Sequence, residues 1–477
     1  MSVPPLFISQ SSPALLDETL SAVARRYRVP ADAVRFPPVA GASPATALAI
    51  VIEQAREVVV RHEAPDAALK QLFVDALARL IREAMRAESG DPVFQAMVLR
   101  HQTSAVREYA SLSAHAERDR RAVHAAVNSF AHPARQHRMP AGRQRDALAW
   151  LHAAASVEAW SEFDERLRRV SDEPGLSSEF AFVRHVAELL DSPALARLRR
   201  LDALASDERV RRYELLRDRH GPRPGSAAAV AHGVASKQRG AAVEALATQA
   251  LEVLARRLNE ADGAFASYCV VNSMRVPSSI PASHERAKTE WDAVLLRQPK
   301  SHDEPAAWDV CLLVEAKASV DAATTDFPRL LRGLDLLAHA GKDVVYSFQT
   351  QQGTLRLRGA SLGALRTDEA ALARTVLYCC DAPAEVTPRL LSAAGRMQLL
   401  SAEASLEFAG ALAQKQHADV GKLEPVWHQL LESPKWSALL NQYSTLGRVR
   451  ELMVHTDDFQ SAVSNEARPS ASKGECE

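Results

Sequence analysis

The chain has 477 residues, of which 47% are hydrophobic and 25% are charged. These proportions are those of globular proteins and exclude a chain that is disordered throughout, while the length favours two or three domains. The formal net charge of −1 excludes a global positive field, so contact with nucleic acid would have to come from a local basic patch.

The first residues of the chain, its apolar runs and its cysteines indicate in which cellular compartment the protein is expected. Residues 1–5 lack the basic segment and apolar core of a signal peptide, and no apolar run approaches the roughly 20 residues of a membrane span. The five cysteines show no CxxC spacing, which favours free thiols in a reducing environment over disulfides. We expect a soluble, cytoplasmic protein, and we attribute the excess of arginine over lysine to the GC-rich coding of a bacterial genome.

Residues 1–225 are predicted to form a largely α-helical N-terminal region. Apolar residues recur at helical spacing, most clearly between 67 and 87, and prolines separate the segments. Two stretches, 132–145 and 197–219, are locally basic. We interpret them as solvated helix faces, because acids are interleaved with the second. The alternative is that one of them contacts phosphates.

The Pro/Gly run from Gly221 to Ser226 is the clearest predicted domain boundary. Beyond it, the pattern predicts a helix at 236–259, strands at 265–276, 289–297 and 309–317, and a helix at 326–340. Asp326 is the predicted N-cap of this last helix, and Pro328 is predicted to lie in its first turn. A strand at 343–350 paired with 354–358, a strand at 375–380, and helices at 386–395, 402–416 and 424–456 complete the prediction. The predicted domains are 1–225, an α/β domain at 226–400, C-terminal helices at 401–460 and a disordered tail at 461–477.

The most informative stretch runs from Trp308 to Lys317. Five apolar residues, 310–314, are followed by Glu315, Ala316 and Lys317, as expected of a central strand covered on both faces. Because side chains alternate along a strand, Glu315 and Lys317 are predicted to share a face. Only ten residues of the chain are lysines, and Lys317 alone has an acid two places before it. An acid and a base are therefore presented together where a buried strand ends, and such groups need a partner or a metal.

Asp292 lies on the preceding predicted strand, where its apolar run begins. With Glu315 and Lys317 it resembles the signature of the PD-(D/E)XK nuclease superfamily, in which an acid on one strand is followed by Asp/Glu-x-Lys on the next. Family members often add a glutamate on the preceding helix, a role that Glu244 fits. The resemblance covers roughly residues 230–400, and Trp291 stands where the signature has proline. It implies a multidomain α+β protein whose helical region precedes a restriction-endonuclease-like α/β domain with a mixed central sheet and C-terminal helices.

The chemistry implied by this resemblance is metal-dependent hydrolysis of phosphodiester bonds, most often in DNA. Asp292, Glu315 and Glu244 would be the ligands of Mg²⁺, for which Mn²⁺ can substitute, and such a site needs only one or two carboxylates and several waters. Lys317 would orient the attacking water or stabilise charge in the transition state. Arg329 and Arg332 could face phosphates, although a solvated helix face is the simpler interpretation. The helical region would recognise a substrate or a protein partner, and a role in restriction of foreign DNA follows from family habit alone.

Several alternatives remain open at this stage. Glu315 and Lys317 could form an ordinary ion pair, Asp292 could bond to neighbouring backbone, and Asp309, counted on the same strand face as Glu315, competes for the metal role. The protein could then be a non-catalytic scaffold or regulator with a degenerate nuclease-like domain. An enzyme of small-molecule metabolism would require a deep apolar pocket. HExxH, GxxxxGK[ST] and GxGxxG sequences are absent, which argues against zinc-protease, P-loop and dinucleotide chemistry.

Overall fold

The computed structural model describes residues 13–29, 36, 42–172, 180–221, 226–300, 307–385 and 389–464. The chain divides into two compact units, each built from separated stretches. The sheet unit comprises Met1–Ala76, Gly225–Gln398 and Trp427–Glu477, and the helical unit comprises Leu77–Pro224 and Leu399–Val426. One division therefore falls at the predicted boundary near 225, while the first 76 residues belong with the sheet. Residues 461–464 of the predicted disordered tail are instead the end of a helix, and the rest of that tail, like residues 222–225 of the predicted boundary, lies outside the described residues.

The first half of the chain is helical, as predicted. Its helices are α1 (Ala14–Ala22), α2 (Pro44–Val60), α3 (Ala67–Ala84), α4 (Pro92–Gln102), α5 (Ser104–Ser113), α6 (Ala116–Ala131), α7 (Pro133–Gln136), α8 (Arg143–Val157), α9 (Trp160–Asp172), α10 (Phe180–Leu190), α11 (Pro193–Ala205), α12 (Glu208–His220) and α13 (Ala227–Asp262). Local chemistry sets the boundaries. The Asp91 carboxylate, for example, accepts from the N–H groups of Val93 and Phe94, which satisfies two of the amides that a helix start leaves unpaired.

Arginines of the second basic stretch are paired within the helical unit. Arg197 binds Asp119 through two hydrogen bonds of 2.7 Å, and Arg200 binds Glu108 through two of 2.8 Å. These contacts join helices that are distant in sequence, so a packing role accounts for both arginines.

The second half contains the sheet. Its elements are β1 (Ala266–Arg275), β2 (Glu290–Pro299), β3 (Asp309–Ala316), α14 (Val320–Ala338), β4 (Val345–Thr350), β5 (Gly353–Arg358), α15 (Gly359–Gly363), α16 (Glu369–Thr375), β6 (Val376–Cys380), α17 (Ala393–Ser401), α18 (Glu403–Ala413), α19 (Glu424–Glu432), α20 (Ser437–Leu440), α21 (Gln442–Leu452), β7 (Met453–His455) and α22 (Thr456–Ser464), with 3₁₀ turns at Val420–Leu423 and Pro434–Trp436. The protein is thus α+β, with a mixed sheet in its C-terminal half.

The seven strands follow the order β5-β4-β1-β2-β3-β6-β7. Neighbouring strands from β5 to β3 are antiparallel, whereas β3, β6 and β7 are parallel. The strand next to β3 is β6, and β4, which follows α14 in the chain, instead borders β1 in a hairpin with β5. The positions of β1 to β6 were predictable from the apolar pattern, while the strand β7 and the pairing of β6 with β3 were not.

Apolar side chains cover both faces of the sheet. Val294 and Leu313 belong to a core with Phe327 of α14, while Leu295 and Leu312 belong to a second core with helices α13 and α22. The near-continuous apolar sequence of β2 and β3 follows from this burial on both sides.

Two predictions about α14 were wrong. The helix begins at Val320, not near 326, and its N-cap is Ser319, whose hydroxyl accepts from the Ala322 N–H. Pro328 lies inside the helix, and Asp326 is in its second turn. A serine cap is a weaker sequence signal than an aspartate followed by proline, which explains the error. In the predicted helix 424–456, the structure instead has several short helices and the short strand β7.

Candidate functional site

The predicted acids and base meet where β2 and β3 lie side by side. Ala293 pairs with Val314, so Asp292 lies beside Glu315 in the ladder. The Lys317 Nζ is 2.9 Å from Glu315 Oε2 and 3.6 Å from Asp292 Oδ2. Asp292 Oδ2 also accepts from the Ala316 N–H at 2.9 Å, which fixes the carboxylate against the end of β3. The structure therefore brings together the three residues of the signature.

Backbone contacts hold Lys317 in place although β3 ends one residue earlier. Its N–H donates to the Cys379 carbonyl of β6 at 2.9 Å. The backbone of Lys317 is therefore fixed, and its side chain lies on the same face of the sheet as Glu315, as the alternation of side chains along a strand predicts.

Glu244 lies on α13 and is half-buried. Burial raises its pKa, and the negative charges of Asp292 and Glu290 raise it further, while Lys317 lowers it. Glu244 therefore lies within the electrostatic influence of Asp292, Glu290 and Lys317. Within the described part of the chain, its carboxyl group makes no hydrogen bond or ion pair.

Two charged residues of the site were missed by sequence reasoning. Lys288, which is 5% exposed, places its Nζ 2.7 Å from Glu315 Oε2. Asp326 places Oδ2 3.6 Å from the Lys317 Nζ and accepts a hydrogen bond from the Tyr378 hydroxyl at 3.3 Å. Lys288 precedes β2 and Asp326 comes from α14, so only the tertiary fold brings them here. The one available signal was the scarcity of lysine, which made a lysine four residues before Asp292 unusual.

The site combines four carboxyl groups with two ammonium groups in a buried setting. Glu315 is fully buried, and this burial, together with the charge of Asp292, raises its pKa to about 8 against the opposing influence of Lys317 and Lys288. Burial alone would lower the pKa of Lys317, but Glu315, Asp292 and Asp326 outweigh it and raise that pKa above its ordinary value. An excess of carboxyl groups is the charge balance that favours a cation.

The donor atoms suit a hard divalent cation. Both lysines contact the Oε2 of Glu315, while its Oε1 is buried without a hydrogen-bond partner among the described residues. Asp292 and Glu244 supply further oxygens, and Mg²⁺ needs only one or two carboxylates beside its waters. Among the described residues, no three His, Cys, Asp or Glu side chains converge closely enough to hold a metal on their own, and the Lys317 Nζ lies within 4 Å of the carboxylates of Asp292, Glu315 and Asp326. A metal at this site would therefore need waters among its ligands.

The remaining candidates have structural contacts. Asp309 forms a bidentate ion pair with Arg358, with distances of 2.8 and 2.9 Å. Arg329 and Arg332 donate to backbone carbonyls of Ala287 and Arg286, the latter at 2.9 Å, so both brace the segment that carries Lys288.

The prediction that Asp309 shares a face with Glu315 was wrong. Leu295 pairs with Leu312 and Leu296 pairs with Val310, so Cys311 is an extra residue in β3. Such a bulge shifts the alternation of side chains by one, and counting by twos from Asp309 to Glu315 fails across it. Six residues of strand also separate the two carboxylates by about 20 Å.

Replacement of Gly333 by alanine tests how closely α14 packs on Lys288. A Cβ at this position would lie 2.8 Å from both the Cβ and the carbonyl oxygen of Lys288, and the backbone there cannot yield without moving the lysine. We expect Gly333→Ala to lower the free energy of unfolding by about 1–3 kcal/mol, as measured by urea denaturation. The matched control is Gly447→Ala on α21, where a Cβ meets no atom within 4 Å, and we expect a gain of about 0.5–1 kcal/mol. Equal effects of the two substitutions would contradict the close packing.

The raised pKa of Glu315 predicts a pH dependence of stability. A carboxyl group whose pKa rises from 4.5 to about 8 on folding binds its proton more tightly in the folded state, so its contribution weakens as the pH rises between these values. We expect the free energy of unfolding of the wild type to fall relative to that of Glu315→Gln between pH 5 and pH 8, in EDTA. A relative gain of the wild type over this range would show that the two lysines hold the carboxylate ionised.

Comparison with known proteins finds no matching family model, no similar curated protein and no similar solved structure. Within the described residues, none of the helices combines the length and apolar character that a membrane crossing requires.

Proposed function

We propose that this protein is a metal-dependent nuclease that hydrolyses the phosphodiester bonds of DNA, in the manner of the PD-(D/E)XK enzymes. The observation that carries the proposal is the convergence of Lys317 on Glu315 and Asp292, at 2.9 and 3.6 Å. Neither the acid on β2 nor the pair on β3 would form a site alone, and the register of the two strands brings them together.

Each residue has a role in this proposal. Asp292, Glu315 and Glu244 would hold Mg²⁺ or Mn²⁺, which would supply Lewis-acid polarisation of a phosphoryl oxygen and a water of lowered pKa. Lys317 donates from Nζ to the attacking water or to a phosphate oxygen that gains charge in the transition state. Lys288 neutralises Glu315 Oε2 and leaves Oε1 for the cation. The site is largely buried, and the exclusion of bulk water strengthens each of these electrostatic interactions.

The test is cleavage of supercoiled and linear DNA with Mg²⁺ or Mn²⁺ present, and with EDTA as the control. Metal-dependent cutting supports the proposal. Cutting that is unaffected by EDTA contradicts the metal requirement, and no cutting under any of these conditions contradicts the nuclease.

A second function, a non-catalytic scaffold or regulator with a degenerate site, has one observation in its favour. Glu315 is fully buried, and both lysines contact a single oxygen of it, as expected of a structural ion cluster. This alternative predicts that no divalent cation stabilises the protein. A rise in melting temperature with Mn²⁺ that is lost in Asp292→Asn would favour the nuclease, since a ligand stabilises the state that binds it.

A further inference from the structure

A polar cavity of about 490 Å³ opens over strands β1 and β4. Its lining residues are Ser273 and Arg275 of β1, Gln349 and Thr350 of β4, and Gln351. The volume lies within the range of small-molecule pockets, but the lining is polar and carries donors on several sides.

The backbone of β1 places this cavity against Asp292. Ser273 has a φ of 49°, the left-handed region that non-glycine residues rarely adopt. The pairs Asn272–Ala293 and Met274–Trp291 form on either side of it, so Ser273 faces Asp292 across an interrupted ladder. An irregularity of this kind beside a candidate site is typical of a strand that redirects its side chains for function.

A side-chain network fastens the β4–β5 turn to the same point. The Gln352 side chain binds Asn272 twice, accepting from its N–H and donating to its Oδ1, each at 2.9 Å. The Asn272 amide in turn donates to Thr248 Oγ1 at 2.6 Å, and the Gln351 N–H donates to the Asn272 carbonyl. The turn that carries Gln351 is therefore held at the edge of the site.

Polar side chains from two neighbouring strands and their turn line the cavity together. Arg275 and Gln349 are paired in the ladder between β1 and β4, and Ser273 and Gln351 line the same cavity. The ion pair of Arg275 with Glu290 is 3.3 Å long and well exposed, so it contributes little and leaves the guanidinium able to bind a ligand.

These groups match the base edges of purines. An arginine binds guanine O6 and N7 with two hydrogen bonds, and a glutamine binds adenine N6 and N7 in the same way. We propose that this cavity binds a purine nucleotide of the substrate strand, next to the phosphate that is cleaved at Asp292. This inference rests on the proposed nuclease function and adds to it a preference for the base beside the cut.

The test measures binding and cleavage separately. Binding of short single-stranded purine and pyrimidine oligonucleotides is followed by fluorescence anisotropy in EDTA, for the wild type, Arg275→Ala and Gln351→Ala. We expect the wild type to bind the purine oligonucleotide about five- to a hundredfold more tightly, and each variant to lose most of this preference. The matched control is Arg28→Ala, since Arg28 also forms an exposed ion pair with a glutamate of the sheet unit, Glu451.

The outcomes separate the two proposals. A purine preference that is retained in both variants, or absent from the wild type, overturns the inference even when plasmid DNA is cut in a metal-dependent way. A preference lost in both variants and kept in Arg28→Ala supports the cavity, and the cleavage assay alone then decides whether the protein is a nuclease.

Discussion

Replacing Lys317 by alanine is expected to lower the rate of Mg²⁺-dependent DNA cleavage by about 10²–10³-fold, the usual loss when one preorganised donor is removed from a transition state. The Lys317 Nζ lies within 4 Å of both Glu315 Oε2 and Asp292 Oδ2, and a methyl group cannot replace its charge or its hydrogen bonds. The measurement is the initial rate of supercoiled plasmid cleavage at saturating Mg²⁺. Asp292→Asn, which keeps the size of the side chain and removes a ligand charge, should lose as much.

This experiment needs a check that the variants are folded, because the ammonium of Lys317 also neutralises the charge of neighbouring carboxylates and its loss can lower stability. Melting curves identify a temperature at which both variants are folded, and cleavage is compared there. The matched control is Lys342→Ala, an exposed lysine of the sheet unit, which should cut at the wild-type rate. Wild-type rates in Lys317→Ala and Asp292→Asn would place the cleavage site elsewhere.

The parts of the site that the sequence predicted depend on short-range rules. Glu315 and Lys317 share a face because they are two residues apart at the end of one strand, and Asp292 joins them because β2 and β3 are consecutive antiparallel neighbours. Glu244, in contrast, was assigned from the resemblance to the nuclease superfamily, and the charge of Asp292 contributes to its raised pKa.

Other parts depend on long-range packing that no local pattern records. Lys288 lies where Gly333 lets α14 pack closely against it, and Asp326 is carried to the site by α14. The pairing of β6 with β3 is likewise non-local, since α14 and the β4–β5 hairpin separate them in the chain. The amino-acid composition of a strand does not indicate whether the strand contains an extra residue. The bulge at Cys311 could therefore not be predicted, and the predicted face of the Asp309 side chain was wrong.

The second large effect is expected at Asp309, as a loss of stability. Its carboxylate is buried against Arg358. This contact lies where the sheet curls on itself: Trp308, next to β3, pairs with Leu357 of β5. In the strand order, β4, β1 and β2 separate β5 from β3. Arg358→Met leaves this charge buried without its guanidinium partner. We expect the free energy of unfolding to fall by about 3–5 kcal/mol, as measured by urea denaturation.

The double variant Asp309→Leu/Arg358→Met separates charge from packing. With both ions replaced by apolar groups, most of the lost stability should return, because the cost of burying an unpaired charge disappears. Asp309→Asn should also leave the Mg²⁺ concentration for half-maximal cleavage unchanged, whereas Glu315→Gln should raise it. A double variant as unstable as Arg358→Met would mean that shape governs this contact. A higher Mg²⁺ requirement in Asp309→Asn would indicate that Asp309 also binds the metal. Glu315 would then not be the only metal-binding carboxylate of β3.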